Sequence, residues 1–76
     1  MDKEKFLVDL AEILEEETVK ESDVLADFEA WDSLSILSII SYVSETYKKQ
    51  LKNDEIRSQE TVEDLFSYIE NKWHIL

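Results

Sequence analysis

Not one glycine or proline occurs among the 76 residues of this chain, and this absence restricts the fold more than any other feature of the sequence. Hairpins and tight turns depend on glycine for positive φ and on proline for a preset φ. The sequence therefore predicts an all-α fold whose loops use Asn, Asp, Ser and Thr. A chain of this length forms one small domain, residues 1–76, and buries only about 60% of its unfolded surface, which leaves little room for a large internal active site.

Apolar residues recur at helical spacing in four segments, which we expect to be helices. The predicted helices cover residues 3–16, 33–51, 53–58 and 62–72. The apolar stripe of the first helix is Phe6, Leu7, Leu10, Ile13 and Leu14. The stripe of the second is Leu34, Leu37, Ile40, Val43 and Tyr47, widened by Ile36 and Ile39. Ile56 is expected to point inward from the short third helix, and the last helix has its stripe at Val62, Leu65, Phe66 and Ile69.

Polar residues stand at three of the predicted helix starts: Asp32, Asn53 and Thr61. Such side chains accept the N–H groups that the first turn leaves without an intrahelical partner. Thr61 and Asp64 have the spacing of a capping box. With Asp32 as the cap, Ser33 becomes the first helical residue. Its hydroxyl then lies near the positive end of the helix dipole, where an attached phosphate would be favoured.

Residues 17–32 show no helical period and predict a long loop between the first two main helices. Its apolar residues indicate that the loop packs on the helices, and Ser22-Asp23 is expected to cap a single turn within it. The tail, residues 73–76, is apolar and is expected to pack back on the first helix. Together these segments predict a bundle of three main helices and one short helix with a long first crossover.

Two polar sets near the second helix also carry expectations. Lys48, Lys49 and Lys52 are expected to complement the negative end of that helix. Serines recur every third residue along one strip, at Ser35, Ser38, Ser41 and Ser44. Small residues of this kind allow the close approach of another helix or loop, or they form a docking surface of low charge.

The net charge of −11 is concentrated in the first part of the chain. Residues 1–32 hold 12 acids and 3 bases, whereas residues 33–76 hold 7 acids and 5 bases. Such a field repels nucleic acid and anionic lipid and favours basic partners. No apolar run approaches the ~20 residues of a membrane span, and no signal peptide is expected. The chain has no cysteine, so we expect no disulfide or thiolate, and a cytoplasmic location is compatible with this composition.

The sequence offers little for catalysis, and we expect that the chain is not an enzyme. A serine nucleophile needs a base, and the single histidine, His74, has no obvious orienting carboxylate. A glycine-rich phosphate loop is impossible without glycine, and no zinc ligand set is present. We therefore expect no catalytic residue and no metal site, which leaves binding or carriage as the function.

The triplet Asp32-Ser33-Leu34 at the start of the second helix resembles the signature of the acyl carrier proteins, a family of phosphopantetheine-bearing domains. The resemblance extends over about residues 3–72. In the second helix Leu37, Ile40, Val43 and Tyr47 match buried positions of the family. Residues 51–54 stand where the family enters its short third helix, and residues 61–65 match the start of the fourth.

The resemblance implies that a phosphopantetheinyl transferase attaches 4'-phosphopantetheine to the Ser33 hydroxyl. The terminal thiol of this covalent cofactor would carry acyl intermediates as thioesters between acyl-loading and acyl-processing enzymes. Asp32 would help to present the site, and Leu34 would be the exposed apolar residue that partners contact. The implied carrier is a stand-alone monomer that binds neither nucleic acid nor membrane.

Three departures from the family pattern point to a specialised fatty-acid or polyketide-type pathway. Ala30 stands where the family usually has glycine, so it must avoid positive φ or accept strain. Trp31 is bulky beside the site and is read as a loop residue covering the core, with contact to the cargo as the alternative. Serines replace the acids that the second helix of fatty-acid carriers presents to partners. Three other functions stay open: a peptidyl (aminoacyl) carrier, an unmodified interaction module with the carrier fold, and a small helical regulator of a basic protein.

Overall fold

The computed structural model describes residues 1–72 and confirms the predicted all-helical bundle. Its four α-helices are α1 (Lys3–Ile13), α2 (Ser33–Tyr47), α3 (Asn53–Arg57) and α4 (Val62–Glu70). A single 3-10 turn, Leu25–Asp27, lies in the long connection between α1 and α2. In the part of the chain that the structure describes, no helix combines the length and the apolar character needed to cross a membrane. The expected packing of residues 73–76 and the position of His74 fall outside the described residues.

All four helices end earlier than the hydrophobic pattern predicts. The helix α2 stops at Tyr47 rather than residue 51, because Lys48 adopts a left-handed conformation with φ 56° and ψ 44°. At the end of α1, Glu15 has φ 58°, and the amide of Glu16 donates to the Ala11 carbonyl at 2.9 Å. Glycine normally occupies such positions, and other residues pay about 1–2 kcal/mol to adopt them. The other early ends are those of α3, at Arg57 rather than residue 58, and of α4, at Glu70 rather than residue 72.

The core is formed mainly by one face of each helix. Phe6 and Leu10 of α1 are buried in the same cluster as Leu65 and Phe66 of α4. The rings of Phe6 and Phe66 meet edge to face with centroids 5.4 Å apart. Ile56, the single buried residue of α3, is fully enclosed as predicted. This shared core holds the short helix α3 to the other helices.

The inward face of α2 differs from the predicted one. Ile36, Ile39 and Val43 are at most 1% exposed, whereas Leu34 and Leu37, both placed on the predicted stripe, are 75% and 55% exposed. The assignment of Leu37 to a buried family position is therefore wrong. Apolar residues occur in almost every direction around the first turns of α2, so their period alone does not specify which row faces the core.

The long loop packs on the bundle as expected. Val19 and Leu25 are buried, the Leu25 amide donates to the Glu60 carbonyl at 2.8 Å, and the Val62 amide donates to the Asp23 carbonyl at 3.0 Å. The expected Ser22-Asp23 cap is wrong, since the 3-10 turn begins after Val24 with no side-chain cap. The Asp23 carboxylate instead accepts from the Lys20 amide and closes the preceding turn.

Lys49 does not complement the end of α2, because its side chain turns towards the end of α4. It is only 4% exposed, and its Nζ donates to the carbonyls of Ile69 and Glu70 at 3.0 and 2.9 Å. These carbonyls lie at the end of α4, where the Ile69 carbonyl also accepts from the Lys72 amide at 3.1 Å. The ammonium therefore joins the segment after α2 to the negative end of α4.

We expect Lys49→Met to lower the free energy of unfolding by about 2 kcal/mol, because the carbonyls of Ile69 and Glu70 lose a charged donor. Urea unfolding followed by circular dichroism measures the change. Lys20→Met, at an exposed lysine whose side chain makes no such contact, is the control. Equal stability of the two variants would contradict the role given to Lys49.

A second polar contact joins α1 to α2 and lowers the pKa of a carboxyl group, that of Asp9. Asp9 Oδ2 accepts from Lys5 Nζ at 2.7 Å and from the Tyr42 hydroxyl at 2.7 Å. Since the Tyr42 proton is used on Asp9, the Tyr47 hydroxyl, 3.1 Å away, donates to Tyr42. The hydrogen bond from Lys5, followed by that from Tyr42, holds the pKa of Asp9 below its ordinary value, and burial raises the pKa of Tyr42.

A lowered folded-state pKa means that the Asp9 carboxylate stabilises the fold above the pKa of an unfolded Asp, near 3.8, and that this stability is lost as pH falls through the folded-state value. We therefore expect the stability difference between the wild type and Asp9→Asn to shrink as pH drops below about 4. Thermal unfolding between pH 7 and pH 3 measures it. Glu12→Gln, exposed on the same helix, is the control, and an identical pH profile for both variants would argue against the Asp9 network.

Candidate functional site

Asp32 sets the start of α2, as the sequence predicts. Its backbone is extended, with φ −146° and ψ −173°, and its Oδ1 accepts from the amides of Leu34 and Ser35, each at 3.0 Å. Ser33 is therefore the first helical residue, and its side chain is exposed beside the cap. The predicted cap and the predicted position of the hydroxyl are both confirmed.

Ser35 completes a capping box and does not belong to an exposed strip of serines. Its Oγ accepts from the Asp32 amide at 3.0 Å and lies 3.0 Å from the Asp32 carbonyl, to which it donates, and the residue is 6% exposed. Ser38 and Ser41 are exposed, and Ser44 is half-buried. The four serines therefore do not form one exposed docking surface, since Ser35 is buried in the capping box.

The Ser33 hydroxyl contacts a residue from another helix that sequence reasoning missed. Arg57 of α3 donates from Nη2 to Ser33 Oγ at 2.8 Å and from Nε to Asn53 Oδ1 at 2.6 Å. Asn53 is the first residue of α3 and not its cap, since Lys52 occupies the cap position without a side-chain bond. The four-residue spacing of Asn53 and Arg57 signals a pair on one helical face. Nothing in the sequence signals the contact of Arg57 with Ser33, 24 positions away.

The surroundings of Ser33 are apolar on one side and acidic on the other. Leu34 and Leu37, one turn apart, form an exposed apolar patch next to the hydroxyl. A surface depression of about 200 Å³ lies beside Leu34 and is also lined by Asp32 and Glu15. Trp31 packs against the core, which confirms its reading as a covering loop residue. Ala30 avoids positive φ, so the departure from glycine causes no strain there.

The residues present fit an attached phosphate group, but not chiefly through the helix amides. The Leu34 and Ser35 amides, which would otherwise attract an anion, are already bonded to the Asp32 carboxylate. The Arg57 guanidinium supplies the positive charge at the hydroxyl instead. Among residues 1–72, no cluster of three or more His, Cys, Asp or Glu side chains is arranged to hold a metal ion.

A comparison with curated proteins finds a similar protein. An acyl carrier protein of Kocuria rhizophila is 29% identical over 75 aligned positions, which cover 91% of this chain and 93% of the relative. This similarity is distant, and it extends over nearly the whole of both chains. No protein-family model matches the chain, and no solved structure matches it significantly.

The acyl carrier resemblance and the structure agree on the fold and on the position of the exposed serine. The exposure that the family pattern implies for Leu34 is also observed. The roles of Ser33, Asp32 and Leu34 in modification and recognition stay predictions. Arg57 lies outside the residues that the family pattern identified.

The two serines nearest to the cap provide a test of the site geometry. We expect Ser35→Ala to lower the free energy of unfolding by about 1 kcal/mol, because the capping box loses its side-chain partner. Ser38 is exposed and bonds only to the Leu34 carbonyl of its own helix, so Ser38→Ala should raise stability by about 0.5 kcal/mol or less. Urea unfolding of both variants measures these changes, and the reverse order of stability would contradict the assignment of Ser35 to the cap.

Proposed function

We propose that this protein is an acyl carrier modified with 4'-phosphopantetheine at Ser33. The observation that carries the proposal is the exposed Ser33 hydroxyl directly after the Asp32 cap, in a chain similar to an acyl carrier protein over nine-tenths of its length. The similarity also supports a carrier rather than a catalytic role.

The Ser33 hydroxyl oxygen would form an ester bond to the phosphorus of the pantetheine-bearing phosphate of coenzyme A. The pyrophosphate P–O bond breaks in the same step, adenosine 3',5'-bisphosphate leaves, and the hydroxyl proton passes to a base of the transferase. The attached group supplies a terminal thiol that carries acyl groups as thioesters. The chain itself has no cysteine and therefore no thiol of its own. Asp32 contributes by keeping the first turn of α2 in place, so that Ser33 points outward.

The surface of α2 supports a partner set that differs from that of a general fatty-acid carrier. Glu45 is the single charged residue of this helix, and the side nearest Ser33 presents Leu34 and Leu37. Transferase and acyl-processing enzymes would therefore contact α2 mainly through apolar side chains. We infer a monomeric cytoplasmic carrier that serves a specialised fatty-acid or polyketide-type pathway.

We expect the wild type to gain the mass of phosphopantetheine when it is incubated with coenzyme A and a broad-specificity transferase. Ser33→Ala should gain nothing, because the attachment oxygen is gone. Ser38→Ala, an exposed serine further along α2, should be modified like the wild type. Intact-mass spectrometry measures all three.

Two outcomes would overturn this function. The absence of a mass gain in the wild type would favour an unmodified interaction module, and an equal gain in Ser33→Ala would exclude Ser33 as the attachment point. Loading with an aminoacyl group but not with fatty or β-keto acyl groups would assign the protein to the peptidyl carriers.

A further inference from the structure

We propose that Arg57 is the anion-binding residue of the attachment site and that its guanidinium holds the phosphodiester formed on Ser33. This inference rests on the proposed modification of Ser33. It assigns to α3 a direct part in positioning the arm.

The geometry places the guanidinium for this role before any modification occurs. Arg57 Nη2 is 2.8 Å from Ser33 Oγ, the atom that would become the ester oxygen. Asn53, one turn earlier, fixes the guanidinium by accepting from Nε at 2.6 Å. A planar group with several N–H donors suits the oxygens of a phosphate better than the ammonium of a lysine does. Arg57 is also the only arginine in the sequence.

The charges around Ser33 require such a group. The Asp32 carboxylate lies next to the hydroxyl and has taken the amides of Leu34 and Ser35, which would otherwise bind an anion. A phosphodiester adds a further negative charge to a chain whose net charge is already −11. Arg57 is the cation that the structure places in contact with the attachment oxygen, so it offsets this repulsion.

Modification would also change the hydrogen-bonded contact between α3 and α2. Before modification Arg57 of α3 donates to a neutral hydroxyl at the start of α2. Afterwards the same N–H groups face anionic oxygens, so an attraction between opposite charges is added to a hydrogen bond in which only the donor was charged. Attachment of the arm would therefore strengthen the contact between α3 and α2, and the modified form would hold α3 in place more stably than the unmodified form.

The test measures how modification and Arg57 depend on each other. Unmodified and modified forms of the wild type, Arg57→Gln, Arg57→Lys and Lys52→Gln are compared by thermal unfolding at low salt, after intact mass has confirmed the state of each. Lys52→Gln is the matched control, since it removes the same charge from the exposed residue that precedes α3. Asn53→Ala tests the anchoring of the guanidinium.

We expect the change in Tm on modification to be about 2–4 °C less favourable in Arg57→Gln than in the wild type, and unchanged in Lys52→Gln. Arg57→Lys and Asn53→Ala should lie between these values, and 0.5 M NaCl should reduce the difference. As Arg57 is the single arginine, its Nε–H gives one side-chain NMR signal, which should shift when Ser33 is modified.

The outcomes separate this inference from the function on which it rests. If the wild type gains no mass, both are overturned. If the wild type is modified but the change in Tm is the same in Arg57→Gln and the Nε–H signal does not move, the Arg57 contact is wrong while the carrier function stands.

Discussion

The hydrogen bonds from the Asp32 carboxylate to the first turn of α2 determine the arrangement of the whole site. They fix where the helix begins, and every later side chain takes its direction from that point. Ser33 consequently points outward, Ser35 points inward to complete the box, and Leu34 is left on the surface. If the helix began one residue later, the direction of each of these side chains around the helix axis would change by about 100°.

The helices are joined by long polar side chains as well as by the apolar core. Lys49 bonds to the end of α4, Tyr42 of α2 bonds to Asp9 of α1, and Arg57 of α3 bonds to Ser33 of α2. Among the described residues, no buried side-chain nitrogen or oxygen lacks a hydrogen-bond partner. In a domain with a small core, these contacts specify the relative positions of helices that apolar packing leaves free to slide.

Most of the local structure could be predicted from the sequence, because it depends on neighbours along the chain. The caps at Asp32 and Thr61 and the inward direction of Ile56 follow from spacing and side-chain chemistry. The inward row of α2 could not be predicted, since its apolar residues surround the helix and the core selects among them.

The contacts of Lys49 and Arg57 were missed for a related physical reason. Each joins residues that are 20 or more positions apart, and local patterns carry no information about such pairs. The position of Ser33 in the candidate site was thus predictable from its own cap, whereas its charged neighbour emerged from the packing of α3.

The left-handed residues Glu15 and Lys48 show what a chain without glycine gains in its unfolded state. A side chain restricts the backbone of the unfolded chain, so folding removes less conformational entropy at these two positions than it would at glycine. This smaller loss of entropy partly offsets the free-energy cost of the left-handed backbone in the folded state. Glu15 lies in the connection that leads to α2, and Lys48 lies in the connection that leads from α2 to α3. Because the unfolded chain has fewer backbone conformations at these two positions, folding of both connections into one conformation costs less entropy.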